Sequence, residues 1–175
     1  MILFSRHGHK NPIETPTALP MDVGISKVFL GPNCMALLDE KGDLYTCGYG
    51  GSVMSGAGQL GHGDGESYLT PKLVESLIED GCYAQEVHLG QEHMAVLTTE
   101  GEVLTAGAGS YGRLGNFESR DQLYLEPVEL LATGVIQIAG GKDFTLALKK
   151  DGLMQGWGRN DKGQVSTLTY YGFLS

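Results

Sequence analysis

Cysteine is scarce: Cys34, Cys47 and Cys82 are the only three in 175 residues, and no two form a C-x-x-C pair. An odd set without spacing argues against a disulfide framework and for free thiols in a reducing compartment. Proline numbers only 6 and tryptophan one, Trp157. No apolar run approaches the ~20 residues of a membrane span. The opening Met1–Leu3 is too short for the apolar segment of a secretory leader. Residues 1–13 carry Arg6 and Lys10 but no acid, which keeps an organellar address open beside the cytoplasm or nucleus. Positive charge is missing over a long stretch. From Leu73 to Gly112 there is no Lys or Arg, while Glu75, Glu79, Asp80, Glu86, Glu92, Glu100 and Glu102 all fall there. With a formal net charge of −9, such a surface repels phosphate backbones and anionic lipid, which argues against direct nucleic-acid or membrane binding. The acidic face either keeps the fold soluble or suits a basic protein partner.

Glycine, by contrast, is abundant, with 27 residues. There is no collagen triplet, and the intervening segments are too rich in Val, Leu and Met for a linker. Short apolar runs between glycines read as strands joined by tight turns. The glycines are also periodic. Residues 31–48, 90–107 and 141–158 align without a gap, placing Gly31, Gly42 and Gly48 over Gly90, Gly101 and Gly107 and over Gly141, Gly152 and Gly158. The spacing is 11 and then 6 residues in each copy. A β-branched residue stands three before each first glycine (Val28, Val87, Ile138), and a leucine seven after it (Leu38, Leu97, Leu148). Each copy continues into a turn segment: GQLG at 58–61, GRLG at 112–115 and GQVS at 163–166. The first copy reaches this turn five residues late, through an insertion around Gly51–Ser55. Pro71 and Pro127 follow more loosely, and Pro16 marks the tail of an earlier repeat. The period of roughly 50–60 residues is that of propeller blades or solenoids.

Each apolar run is too short for a helix and ends at an acidic turn, making Gly42, Gly101 and Gly152 hairpin glycines. The returning strands start at Leu44-Tyr45, Val103-Leu104 and Leu153-Met154. Strands apolar on both faces must be covered on both sides, as a blade is between two neighbours.

The pattern Val-x-x-Gly, a run such as HMAVL at 93–97, a turn glycine, an aromatic-Gly as in GWGRNDKGQ at 156–164, and GQLGHGD at 58–64 resembles the regulator of chromosome condensation repeat. The resemblance covers residues 5 to about 166 and implies an all-β fold: a partial β-propeller of about three four-stranded blades, like a segment of a seven-bladed propeller. Residues 1–20 are expected to be the tail of an incomplete preceding blade. Residues 21–80 and 81–134 are blade repeats, and 135–175 an incomplete one. Three blades leave two apolar faces open. The chain is then a fragment, a truncated product, one part of an assembly in which another chain or segment completes the propeller, or an open arc.

No constellation for catalysis stands out, and the expectation is a non-enzyme without cofactor or metal. Two G-x-G-x-x-G matches, Gly56–Gly61 and Gly107–Gly112, lie in different registers of the repeat and lead into turns, not into the helix a nucleotide loop needs. His93 shares its repeat position with Cys34 and Phe144, and Cys47 shares one with Ala106 and Trp157, so both read as packing residues. His7 and His9 are two ligands without a third. Asp39, Glu40, Glu100 and Asp151 precede turn glycines and read as structural.

Propellers bind through rim loops, where sequence is free to vary. The partner-binding candidates are therefore Val53 and Met54 in the insertion, and Phe117, Arg120 and Tyr124 in the variable loop from Asn116 to Leu125. The expected function is a protein–protein interaction module or scaffold subunit. The alternative, implied by the resemblance, is guanine-nucleotide exchange on a Ran-like small GTPase, achieved by differential binding and without bond-making. An ultraviolet receptor on the same fold would need clustered tryptophans.

Overall fold

Every first glycine is followed by a strand that doubles back at the second, and the resulting hairpins stack. A computed structural model describes residues 18–19, 21–52, 54–131 and 133–165; Val53, His7, His9, Pro16 and most of the 1–20 tail lie outside them. The first sheet contains β1 (Ile25–Leu30), β2 (Cys34–Asp39) and β3 (Leu44–Gly48). A small hairpin of β4 (Gly51–Ser52) and β5 (Gly56–Ala57) follows, and β6 (Tyr68–Leu73) closes the sheet in the order β1-β2-β3-β6. A short helix, α1 (Glu75–Glu79), leads to the second sheet: β7 (Ala84–Leu89), β8 (His93–Thr98), β9 (Val103–Gly107) and β10 (Gln122–Pro127), again in chain order. The third has three strands among the described residues, β11 (Val135–Gly140), β12 (Phe144–Lys149) and β13 (Met154–Gly158). Its last strand begins at Met154; the Leu153 N–H is held by the Asp151 carboxylate at 3.0 Å, so Leu153 belongs to the turn.

The three copies share one register. Val28 faces Leu37, Val87 faces Val96 and Ile138 faces Ala147, with a bulge at the same place in each first strand. The hairpins share one turn as well. The N–H of Gly42, Gly101 and Gly152 returns to the carbonyl of Asp39, Thr98 and Lys149, with φ of +93°, +79° and +85° at the glycine. This is the three-residue hairpin whose last position needs left-handed backbone. Asp39 acts as expected of a turn acid, accepting the N–H groups of Lys41 and Asp43 at 2.8 and 2.9 Å.

The middle strands β2 and β8 are buried at every residue. Alternation divides each between two faces. Ala36 and Leu38 join Val87, Met94 and Val96 in the core between the first two blades. Ala95 and Leu97 face the other way, toward Val135, Ile138 and Ala147. Each fully buried Leu or Val contributes on the order of 1.5–3 kcal/mol. The same positions at the start of the arc are open: Val28 and Leu30 are 59% and 76% exposed, whereas their equivalents Val87 and Leu89 are 5% and 7%. First strands of successive blades approach one another, β7 lying against β1 on one side and β11 on the other.

Candidate protein-binding rim

Both variable loops leave a third strand and enter a fourth, at the end of the sheets where first and second strands are also joined. They therefore share one rim. The insertion forms the β4–β5 hairpin, with Gly51 paired to Ala57 and Ser52 to Gly56. The Ser52 and Ser55 hydroxyls, 2.8 Å apart, and the Ser55 N–H donating to Ser52 Oγ close its tip. Met54 projects from that tip, 98% exposed. One carboxylate ties the hairpin to the next blade: Asp121 accepts the Ala57 N–H at 3.0 Å on one oxygen and the Gly109 N–H at 3.1 Å on the other. The Gly63 N–H adds a bond to the Leu123 carbonyl at 2.9 Å. The loops of two blades thus form one continuous rim.

The candidates do not converge on one spot. Phe117, 83% exposed with φ +60°, and Arg120, ion-paired with Glu118, line a cavity of about 290 Å³ beside β10. Tyr124 belongs to a second hollow, of about 190 Å³, between the outer strands of blades one and two, with His62, Lys72 and Glu79. There the Lys72 ammonium donates to the Tyr68 hydroxyl at 3.0 Å, and Tyr68 donates to Asp64 at 2.7 Å. That bond from Lys72 to Tyr68 is the main cause holding the ammonium pKa above its usual value. Burial opposes ionisation of Asp64, but the Tyr68 hydroxyl, the Glu66 N–H and Lys72 outweigh it and keep the carboxyl below its usual range. His62, within 2.9 Å of Thr46 Oγ1, is held low mainly by burial and then by Lys72.

Sequence reasoning passed over the most buried charge. Arg113 is 2% exposed at the seam between blades two and three. Its Nη1 contacts Glu92 at 3.0 Å and, across the seam, Asp143 at 3.2 Å, while Nε donates to the Ser110 carbonyl at 2.8 Å. Asp143 also meets Arg159 at 3.6 Å, and Arg159 lies 5.0 Å from the exposed Tyr111 ring. A signal existed in the repeat: Arg113 stands where the other copies have Gln59 and Gln164. Gln59 stays within its own blade, bonded to the Tyr49 carbonyl.

The cysteines and His93 sit as packing residues. Cys34, Cys47 and Cys82 are unpaired, and burial raises the thiols of Cys34 and Cys47 to about 12 and about 11. Such thiols are poor nucleophiles. His93 is 1% exposed, bonded through Nε2 to Thr145 Oγ1 at 2.9 Å, with Nδ1 unpartnered. Burial, aided by His88 and Arg113, depresses it to about 3. The two glycine-rich matches run through β5 and β9 into turns, and neither opens an α-helix.

Comparison with known proteins agrees with this geometry. Residues 41–97 and 100–148 match the regulator of chromosome condensation (RCC1) repeat, and residues 135–164 match a second form of it. The chain is 36% identical over 158 residues to the human E3 ubiquitin-protein ligase HERC2, covering 89% of this chain but 3% of that protein. It is 36% identical over 144 residues to the Arabidopsis thaliana ultraviolet-B receptor UVR8, 82% of this chain and 31% of the receptor. The human WBSCR16 structure superposes with a TM-score of 0.68 at 23% identity, over 79% of this chain and 34% of that one. Prp20p of Saccharomyces cerevisiae, whose binding to Gsp1p and histones has been described, gives 0.63 at 23% identity, over 81% and 34%. The chain therefore spans about a third or less of each of these proteins. Its repeats, register and blade stacking make it a partial β-propeller, and it belongs to the regulator of chromosome condensation repeat family.

Proposed function

We propose that this chain is a protein-binding module that engages partners through the rim formed by the β4–β5 hairpin and the loop from Asn116 to Leu125. The observation that carries the reading is Met54, an apolar side chain 98% exposed on a hairpin that a hydrogen bond to Asp121 ties to the next blade. A large apolar residue on a loop tethered to its neighbour has less freedom to lose on binding than one on an untethered loop. Val53 is its neighbour in sequence and part of the same proposal. Exposed Val28 and Leu30 favour a second contact, in which another blade, from this or another chain, covers the first sheet.

Guanine-nucleotide exchange on a Ran-like GTPase is the second reading, with the protruding hairpin as wedge. Affinity capture from lysate in parallel with Mg²⁺–GDP and with EDTA separates the two. A small GTPase enriched only with EDTA supports exchange; partners recovered equally in both arms support a scaffold. If Met54→Ser and Phe117→Ser leave every captured partner undiminished, the rim reading is wrong.

A further inference from the structure

The cavity beside β10 has an unusual lining. Glu118, Glu126 and Glu129 contribute three carboxylates against a single cation, Arg120, which is already paired with Glu118. Glu126 and Glu129 are exposed, and neither meets a cation among the described residues. At the back, Gln122 is 5% exposed and donates Nε2 to Glu126 Oε2 at 2.7 Å. That bond settles the orientation of the amide, because the reversed amide would set two acceptors against each other. Gln122 Oε1 is therefore the unused atom, buried and without a hydrogen-bond partner. A buried acceptor left unsatisfied is costly. Phe117 stands at the mouth with its ring in solvent.

We propose that this cavity receives an arginine side chain of a partner protein. The guanidinium is planar and carries five donors, so it can pair with a carboxylate and still donate to a neighbouring carbonyl. Glu126 and Gln122 Oε1 form such a pair of acceptors, Glu129 adds charge, and Phe117 offers a ring face for cation–π contact. At about 290 Å³, the cavity falls just below the ~300–1,000 Å³ typical of small-molecule sites, a size suited to one long side chain. Reaching Oε1 requires a small local rearrangement of the lining, since that oxygen is shielded from water. The net charge of −9 attracts a basic partner over a longer range. The inference rests on the protein-binding reading and specifies what one part of the rim recognises.

The test is an NMR titration of the ¹⁵N-labelled chain with N-acetyl-arginine amide and, separately, with its neutral isostere N-acetyl-citrulline amide. Arginine should shift the Gln122 side-chain amide and the Phe117 and Glu126 backbone resonances saturably. Citrulline should bind on the order of tenfold more weakly. Gln122→Leu keeps the fold and removes the acceptor, and with Glu126→Gln it should abolish the response. Equal shifts with both compounds, no shift at Gln122, or an unchanged response in the double variant would overturn the proposal. The titration is separate from lysate capture, so a failed cavity leaves the hairpin reading standing. Conversely, arginine binding with no effect of Met54→Ser on capture would remove the hairpin reading and keep the cavity.

Discussion

Replacing Arg113 by methionine removes a buried charge that is ion-paired across the seam between blades two and three. The guanidinium is 2% exposed and is compensated by Glu92, Asp143 and the Ser110 carbonyl. Breaking a buried ion pair costs about 3–5 kcal/mol, chiefly because the partner charge stays behind unpaired. Here the loss falls at the lower end. The Glu92 side chain is 27% exposed and can rehydrate, and Asp143 keeps Arg159 at 3.6 Å. The expected loss is about 3 kcal/mol, roughly a 150-fold change in the folding constant. Trp157 reports on this seam, since its indole N–H donates to the Arg113 carbonyl at 3.0 Å and it is the sole tryptophan. Urea unfolding followed by Trp157 fluorescence should show a midpoint lowered by about 1.5 M, taking a slope of ~2 kcal/mol/M. Adding Asp143→Leu should restore at least ~1 kcal/mol relative to the sum of the single variants. A loss below ~1 kcal/mol, or strict additivity in the double variant, refutes the idea that Arg113 clamps the blades.

Four further outcomes can be checked on the same preparation. His93, depressed to about 3 by burial, stays neutral in the folded chain while it protonates near 6.5 when unfolded. Its contribution is complete above pH ~6.5 and is lost as pH falls toward 3. His93→Phe, the residue of the next copy, should flatten the stability slope between pH 6 and 4.5 by up to ~1.4 kcal/mol per pH unit; an unchanged slope in urea titrations would sink the assignment. Thr145→Val leaves the buried His93 ring without its one partner and should cost about 1–3 kcal/mol in the same assay. Gly107 has φ +114°, and a Cβ there would lie 2.4 Å from the Glu92 carbonyl, whereas a Cβ on Gly134, at φ +88°, meets nothing within 4 Å. Gly107→Ala should therefore lose about 3 kcal/mol or more and Gly134→Ala only ~1, so equal losses in thermal midpoint would contradict the close approach. Met54→Ser should change stability by less than ~0.5 kcal/mol, since the side chain touches solvent; a larger loss would mean the hairpin tip packs against something.

The repeating unit is legible in the order of residues alone. Gly42, Gly101 and Gly152 close hairpins because only glycine takes that backbone without strain, and Gly48, Gly107 and Gly158 recur at fixed spacing, for which the structure supplies the reason: a neighbouring backbone passes too close for a Cβ. Alternation along CMALLD and HMAVLT likewise required cover on both faces, and the seams supply it for β8. These features are local, or repeat at fixed spacing, and so leave a trace in one chain's order of residues. The partners of individual polar contacts between blades leave no such trace, even where a departure from the repeat marks the residue, as it does at Arg113. Asp121 bonds a hairpin 64 residues away, and Arg113 reaches Asp143 only because stacking brings their loops to the same rim. Blade packing is what sets Phe117 and Arg120 together in an acidic cavity and turns Tyr124 to a different hollow. Loop positions that look alike in sequence are directed to different surfaces by where β10 and the neighbouring blade stand.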